Sequence, residues 1–137
     1  MNEKKQVLIL CTGNSCRSIM AEAMINAHLN DCIEAQSSGV KASGKVNPHA
    51  QALLESKGEW KENYHSKVIE TVLETAFDLV ITVCDHAKET CPMFPKVVET
   101  IHVGFDDPSG KAVEDYAKTY DLIKKELLPI VKTKLCK

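Results

Sequence analysis

Two kinds of apolar run succeed each other along the chain. Short unbroken runs, Val7-Leu8-Ile9-Leu10 and Leu79-Val80-Ile81-Thr82-Val83, read as strands buried on both faces, over 6–10 and 79–83. Ile33 to Ser37 is a weaker strand, and 97–103 supplies the last one. Between them, apolar residues recur at helical spacing. Ile19, Met20, Ala23, Met24 and Ala27 predict a helix over 18–29, broken at Asn30-Asp31. Asn47-Pro48 starts a second helix, with Asn as cap and Pro in the first turn, where its missing N–H costs nothing; Gly58 ends it. Ile69, Val72 and Leu73 predict a helix over 68–76. The longest stripe, at positions 113, 116, 120, 123, 127, 130 and 131, predicts an amphipathic helix over 113–135 that Pro129 kinks or divides. Strands alternating with helices imply an α/β fold: one parallel sheet with helices on both faces, over 1–137 as a single domain.

Composition leaves this picture unchanged. The 137 residues suit one domain, and 44% hydrophobic with 26% charged residues is ordinary for a globular protein. A net charge of -2 argues against a nucleic-acid partner. No apolar run is long enough for a signal peptide or membrane span, so a cytoplasmic, non-membrane protein is expected, and we expect a monomer. In that compartment six cysteines read as catalytic, redox or metal-binding sooner than as a disulfide framework.

The chemistry concentrates where the first strand meets the first helix. Cys11-Thr12-Gly13-Asn14-Ser15-Cys16-Arg17-Ser18 puts a cysteine at a strand tip and an arginine six residues on, at a helix start. The residues between are small or polar, so the loop can curl with its N–H groups pointing at one spot. With the helix N-terminus behind them, they make a nest for a tetrahedral oxyanion. Arg17 can close that nest with its bidentate fork, and the same positive field favours Cys11 as a thiolate, in the ~3.5–7.5 range of activated cysteines. Inert packing of a strand-end cysteine is the plain alternative, but the strand–loop–helix placement favours the oxyanion loop.

In an open α/β sheet, ligands bind outside the carboxyl ends of the strands, where Cys84 and Asp107 also fall. Cys84 and Cys91 bracket a polar segment. They could be packing residues, part of a metal site with His86 that lacks a fourth ligand, or thiols that pair in one state only. Asp107, with Asp106 beside it, is a turn residue that could serve as general acid over the nest. Cys16 is expected to point into the packing, and Cys32 and Cys136 look incidental. His28, His49, His65 and His102 show no ligand spacing.

Taken together, Cys11 to Ser18, Val83-Cys84, Cys91-Pro92 and Gly104-Phe105-Asp106-Asp107-Pro108 resemble the thioredoxin-coupled arsenate reductases, which share the fold of low-molecular-weight protein tyrosine phosphatases. The resemblance covers nearly the whole chain and implies a four-stranded parallel sheet flanked by helices. It implies that Cys11 attacks arsenate held by the loop amides of 12–18 and Arg17, with Ser18 stabilising the thiolate and Asp107 acting as acid. Cys84 then attacks the Cys11–arsenic adduct, and Cys91 resolves the 11–84 disulfide into an 84–91 disulfide that thioredoxin reduces. No flavin, nicotinamide or metal is implied at the site. Some members bind potassium near the loop. Asn14, Glu22 and Ser37 match three of its ligand positions, while Lys67 stands where those members carry an aspartate. An ammonium there is expected to replace the cation and hold Glu22. The second reading is a phosphatase, but Ser109 stands where that family carries tyrosine, and Ile19 where it carries proline. A non-enzymatic oxyanion-binding or thiol-sensing module is the third.

Overall fold

The backbone from Lys5 to Cys11 forms β1, in which Val7, Leu8, Ile9 and Leu10 are all fully buried. Successive strand residues point to opposite faces, so both faces of β1 are covered. The structure is a computed structural model and describes residues 4–72, 74–84, 98–105, 108 and 111–136. β1 lies inside a four-stranded, all-parallel sheet of order β2-β1-β3-β4, with β2 at Ile33–Gly39, β3 at Leu79–Thr82 and β4 at Glu99–His102. Cys11 is in register with Gly39 on one side, and Leu10 with Thr82 on the other. The chain leaves β1 toward β2 and later returns to its opposite edge at β3. The carboxyl end of β1 is therefore the switch point, where such sheets open a crevice.

The helix α1 (Arg17–His28) buries every residue from Ser18 to Ile25, as a helix wedged between sheet and helices must; Ala27, the end of the expected stripe, is exposed. α2 (Pro48–Ser56) begins as its sequence dictates: the Asn47 side chain accepts from His49 N and Ala50 N, and Pro48 follows. Gly58 leaves it at φ 71°. α3 (Val113–Leu135) packs on α1 and α2 through Tyr116, Tyr120, Ile123, Leu127 and Val131. Asp115 accepts from Ala112 N at its start, and Lys132 and Lys134 lie in its last turn, each charge opposing the nearer pole of the helix dipole.

Three expectations change. The helix predicted over 68–76 is a single 3-10 turn, Ile69–Val72, in which Ile69 and Val72 are buried; Leu73 lies outside the described residues. Its β-branched residues resist a helix, and Thr71 bonds Val68 O through both its N–H, at 3.1 Å, and its hydroxyl, at 2.7 Å. Pro129 does not divide α3, which is continuous through it. It lies on the exposed face, as does Lys125, whose carbonyl it leaves without a helical partner. Finally, Cys32 and Cys136 are not incidental. They form a disulfide with Cα atoms 5.7 Å apart, joining the α1–β2 turn to the end of α3 across a sequence separation of 104. Among the described residues, no helix is long and apolar enough to cross a membrane.

Candidate active site

The loop from Thr12 to Cys16 is held open by its carbonyls. Cys11 O accepts from Val40 N at 3.0 Å, Thr12 O from Lys41 N at 3.0 Å, and Ser15 O from Asn47 N at 2.8 Å. Gly13 O accepts twice, from Ser43 N at 2.9 Å and from Ser66 Oγ at 3.0 Å. Every peptide among the described residues is trans. In a trans peptide the next N–H points away from its carbonyl, so these outward carbonyls turn the following amides inward. They face a concavity of about 170 Å³ lined by residues 11–17. The N-terminus of α1 has no side-chain cap, and its dipole is directed there too.

Asn14 fixes the turn. It is fully buried at φ 49°, a left-handed conformation that asparagine tolerates better than most residues. Its Nδ2 donates to Ser18 Oγ at 2.8 Å and Ser37 Oγ at 2.9 Å, while Oδ1 accepts from Lys67 N at 2.8 Å. Ser37 Oγ passes the chain on, donating to Glu22 Oε1 at 2.6 Å. Burial pushes the Glu22 carboxyl above its usual range, opposed first by the Lys67 charge and then by the Ser37 hydrogen bond. Asn14, Glu22, Ser37 and Lys67 are thus one cluster behind the loop.

Cys11 and Cys84 meet at the switch point. Val83 N donates to Leu10 O at 3.0 Å, extending the β1–β3 pairing by one residue and bringing Cys84 level with the loop. Cys84 Sγ lies 3.0 Å from Thr12 Oγ1, next to Cys11 in the chain, and Cys84 is the first influence on the Cys11 thiol. Both cysteines are buried. That influence, with burial second, holds the Cys11 thiol well above the usual cysteine range; Arg17 and the Thr12 amide pull the other way and lose. The expected low-pKa thiolate is therefore corrected. Sequence reasoning counted the positive field but not a second thiol competing for the same proton.

Arg17 reaches over the concavity's rim, its Nη1 donating to Phe105 O at 2.9 Å, and so ties the loop to the segment after β4. Of the residues singled out from sequence, the structure gathers Cys11, Thr12, Gly13, Asn14, Ser15, Cys16, Arg17, Ser18 and Cys84. Cys16 is buried at the α1 N-cap, in keeping with packing. Cys91, Asp106 and Asp107 lie outside the described residues, as do His86 and Ser109. Sequence reasoning missed Ser66, the Phe105 carbonyl and Gly39. A Cβ on Gly39 would stand 2.4 Å from Thr12 O and 3.1 Å from both Asn14 N and Asn14 Cβ, so only glycine lets β2 pass so close beneath the loop.

The family model for low molecular weight phosphotyrosine protein phosphatase matches residues 6–135. The chain belongs to this family. Within the phosphatase-fold family, its relatives include a protein named arsenate reductase from Bacillus cereus, 39% identical over 97% of this chain and 98% of that one. Another of that name, from Brevibacillus brevis, is 40% identical over 90% and 91%. Among solved structures, an arsenate reductase from Archaeoglobus fulgidus superposes with a TM-score of 0.78 at 29% identity, covering 91% of this chain and 98% of that one. A low molecular weight protein tyrosine phosphatase from T. tengcongensis gives 0.80 at 27%, covering 95% and 99%. The family fold thus spans both names. The choice between them rests on the residues around Cys11.

Proposed function

We propose that this chain reduces arsenate to arsenite through a relay of Cys11, Cys84 and Cys91, with thioredoxin as the external reductant. The observation that carries the reading is Cys84 held against Cys11 and Thr12 at the switch point. A hydrolase needs water at that place; a thiol there supplies electrons. The relatives named arsenate reductase support the same choice.

In this reading arsenate sits among the inward amides with Arg17 across it. Cys11 ionises as the anion's bonds replace its tie to Cys84, and its sulfur bonds arsenic(V) while one arsenate oxygen leaves as water, protonated by Asp107. The Cys84 thiolate then attacks Cys11 Sγ. The S–As bond breaks with its electron pair passing to arsenic, which becomes arsenic(III) and leaves as arsenite, and an 11–84 disulfide remains. Cys91 attacks Cys84, releasing the Cys11 thiolate, and thioredoxin's dithiol reduces the 84–91 disulfide. Two thiols supply the two electrons that arsenic gains, and no bound cofactor takes part.

The test is arsenate-dependent NADPH consumption in the presence of thioredoxin and thioredoxin reductase. Sustained oxidation that stops on omitting either protein supports the relay. Hydrolysis of a small aryl phosphate with no arsenate turnover would give the chain to the phosphatase reading.

A further inference from the structure

Away from the site, the structure joins two more cysteines. Cys32 precedes β2 and Cys136 follows α3; both are half-buried, packed against the core, and linked as a disulfide. Seven residues of β2, Ile33–Gly39, separate Cys32 from the level of Cys11, roughly 23 Å of extended chain. The couple therefore lies at the amino ends of the strands, the opposite pole from Cys11 and Cys84. Within one molecule the two sets of sulfur cannot exchange.

We propose that Cys32 and Cys136 are a second thiol–disulfide couple, insulated from the active-site cysteines, that locks the last turn of α3 onto the α1–β2 turn when the surrounding thiol pool is oxidised. Closure proceeds by exchange with an external low-molecular-weight disulfide. One thiolate attacks it and expels the first reduced thiol; the other cysteine's thiolate attacks the mixed disulfide and expels the second. Two electrons and two protons pass from the pair to the external disulfide, which leaves as two thiols.

The end of α3 is where such a lock has most to hold. Val131 is the last fully buried residue of the helix, and beyond it Leu135 and Cys136 are only half-buried. Besides the packing of Leu135 and the helix's own hydrogen bonds, that turn carries the Lys134–Glu99 ion pair, whose partners are substantially exposed. An exposed pair of this kind holds little. The same helix carries Tyr116, which accepts from Asn47 Nδ2 at 3.1 Å, and Asn47 N in turn supports Ser15 O. Tyr116 is 20 residues from Cys136, about 30 Å along the helix, so the lock acts on the helix and not on loop geometry.

The inference stands whether or not arsenate is the substrate, and its test uses the full chain without substrate. Wild type and Cys136→Ser are equilibrated with oxidised glutathione or with dithiothreitol. Each is then melted, and digested without reduction for mass spectrometry. In oxidised glutathione, wild type should yield a peptide pair cross-linked through 32 and 136. It should melt about 5–15 °C above Cys136→Ser, the range a disulfide typically adds to a domain of this size. In dithiothreitol the gap should fall below about 2 °C, since the free thiols add only packing. Should Cys136→Ser not fold, Cys32→Ala reads the same gap, and the cross-link in wild type stands by itself. Absence of that cross-link, linkage of either cysteine to Cys11 or Cys84, or an equal gap in both buffers would overturn the proposal.

Discussion

Gly39→Ala tests the site's construction with one methyl group. The position needs no positive φ, so backbone conformation is not the obstacle and the effect is steric. The added Cβ would stand 2.4 Å from Thr12 O, where ordinary contact begins near 3.4 Å, and 3.1 Å from Asn14 N and Cβ. The shortfall is 3.4 − 2.4, or 1.0 Å, and it falls on backbone, which cannot swing aside like a side-chain tip. Thr12 O is already fixed by Lys41 N, and Asn14 by Ser18, Ser37 and Lys67. Either β2 retreats from β1 or the loop rises. Overpacking of this kind costs about 1–3 kcal/mol, a fall in Tm of roughly 3–12 °C for a domain of this size. The rate should suffer more, because displacing a reacting group by about 1 Å can cost on the order of 100-fold. Thermal melting and single-turnover formation of arsenite from stoichiometric arsenate would measure both. An alanine variant that melts with wild type and turns over within threefold of it would show that loop and strand are not packed as described.

Cys84→Ser should keep whatever aryl phosphate hydrolysis the loop supports yet lose arsenate turnover. Cys91→Ser should release about one arsenite per enzyme and stop as an 11–84 disulfide, visible by mass spectrometry; many turnovers in either variant would remove the relay. Cys84→Ala removes the largest influence raising the Cys11 pKa, so the midpoint of Cys11 alkylation by iodoacetamide should move to lower pH, and an unchanged or higher midpoint would refute the shared proton. Arg17→Lys should lower arsenate turnover at least about 100-fold, because an ammonium cannot supply the bidentate fork; turnover near wild type would put the anion elsewhere. With the Lys67 charge already acting on Glu22, Tm should not change when potassium replaces a larger inert cation at constant ionic strength, whereas a saturable rise would show a bound ion.

The sheet was legible because its evidence is local. Val7 to Leu10 and Leu79 to Ile81 are continuous apolar runs, and a strand covered on both faces has no other use for them. The loop was legible for a related reason: cysteine, small residues and arginine lie within eight consecutive positions, so strand and helix present them together. Asn47 and Pro48 announced α2 through a cap whose partners are two and three residues away. Where tertiary contacts outweigh such signals, the reading changed. The β-branched stretch around Val68 has helical spacing, but its Gly39 bridge and Thr71 hydrogen bonds leave only one turn.

What sequence could not show was anything set by the meeting of distant segments. The proton on Cys11 depends on Cys84, 73 positions away, and the positive field of the local motif gave the opposite sign. The requirement for Gly39 comes from a carbonyl 27 positions earlier, and nothing in the neighbouring residues distinguishes it from an ordinary glycine at a strand end. Cys32 and Cys136 follow the same rule at the greatest distance, for a disulfide needs two Cα atoms within about 7 Å and no local pattern reports that. Local residues therefore identify the loop and its candidate groups. The protonation of those groups, the room they have, and the ties that hold their frame are fixed by pairs that only the β2-β1-β3-β4 order and the packing of α3 bring together.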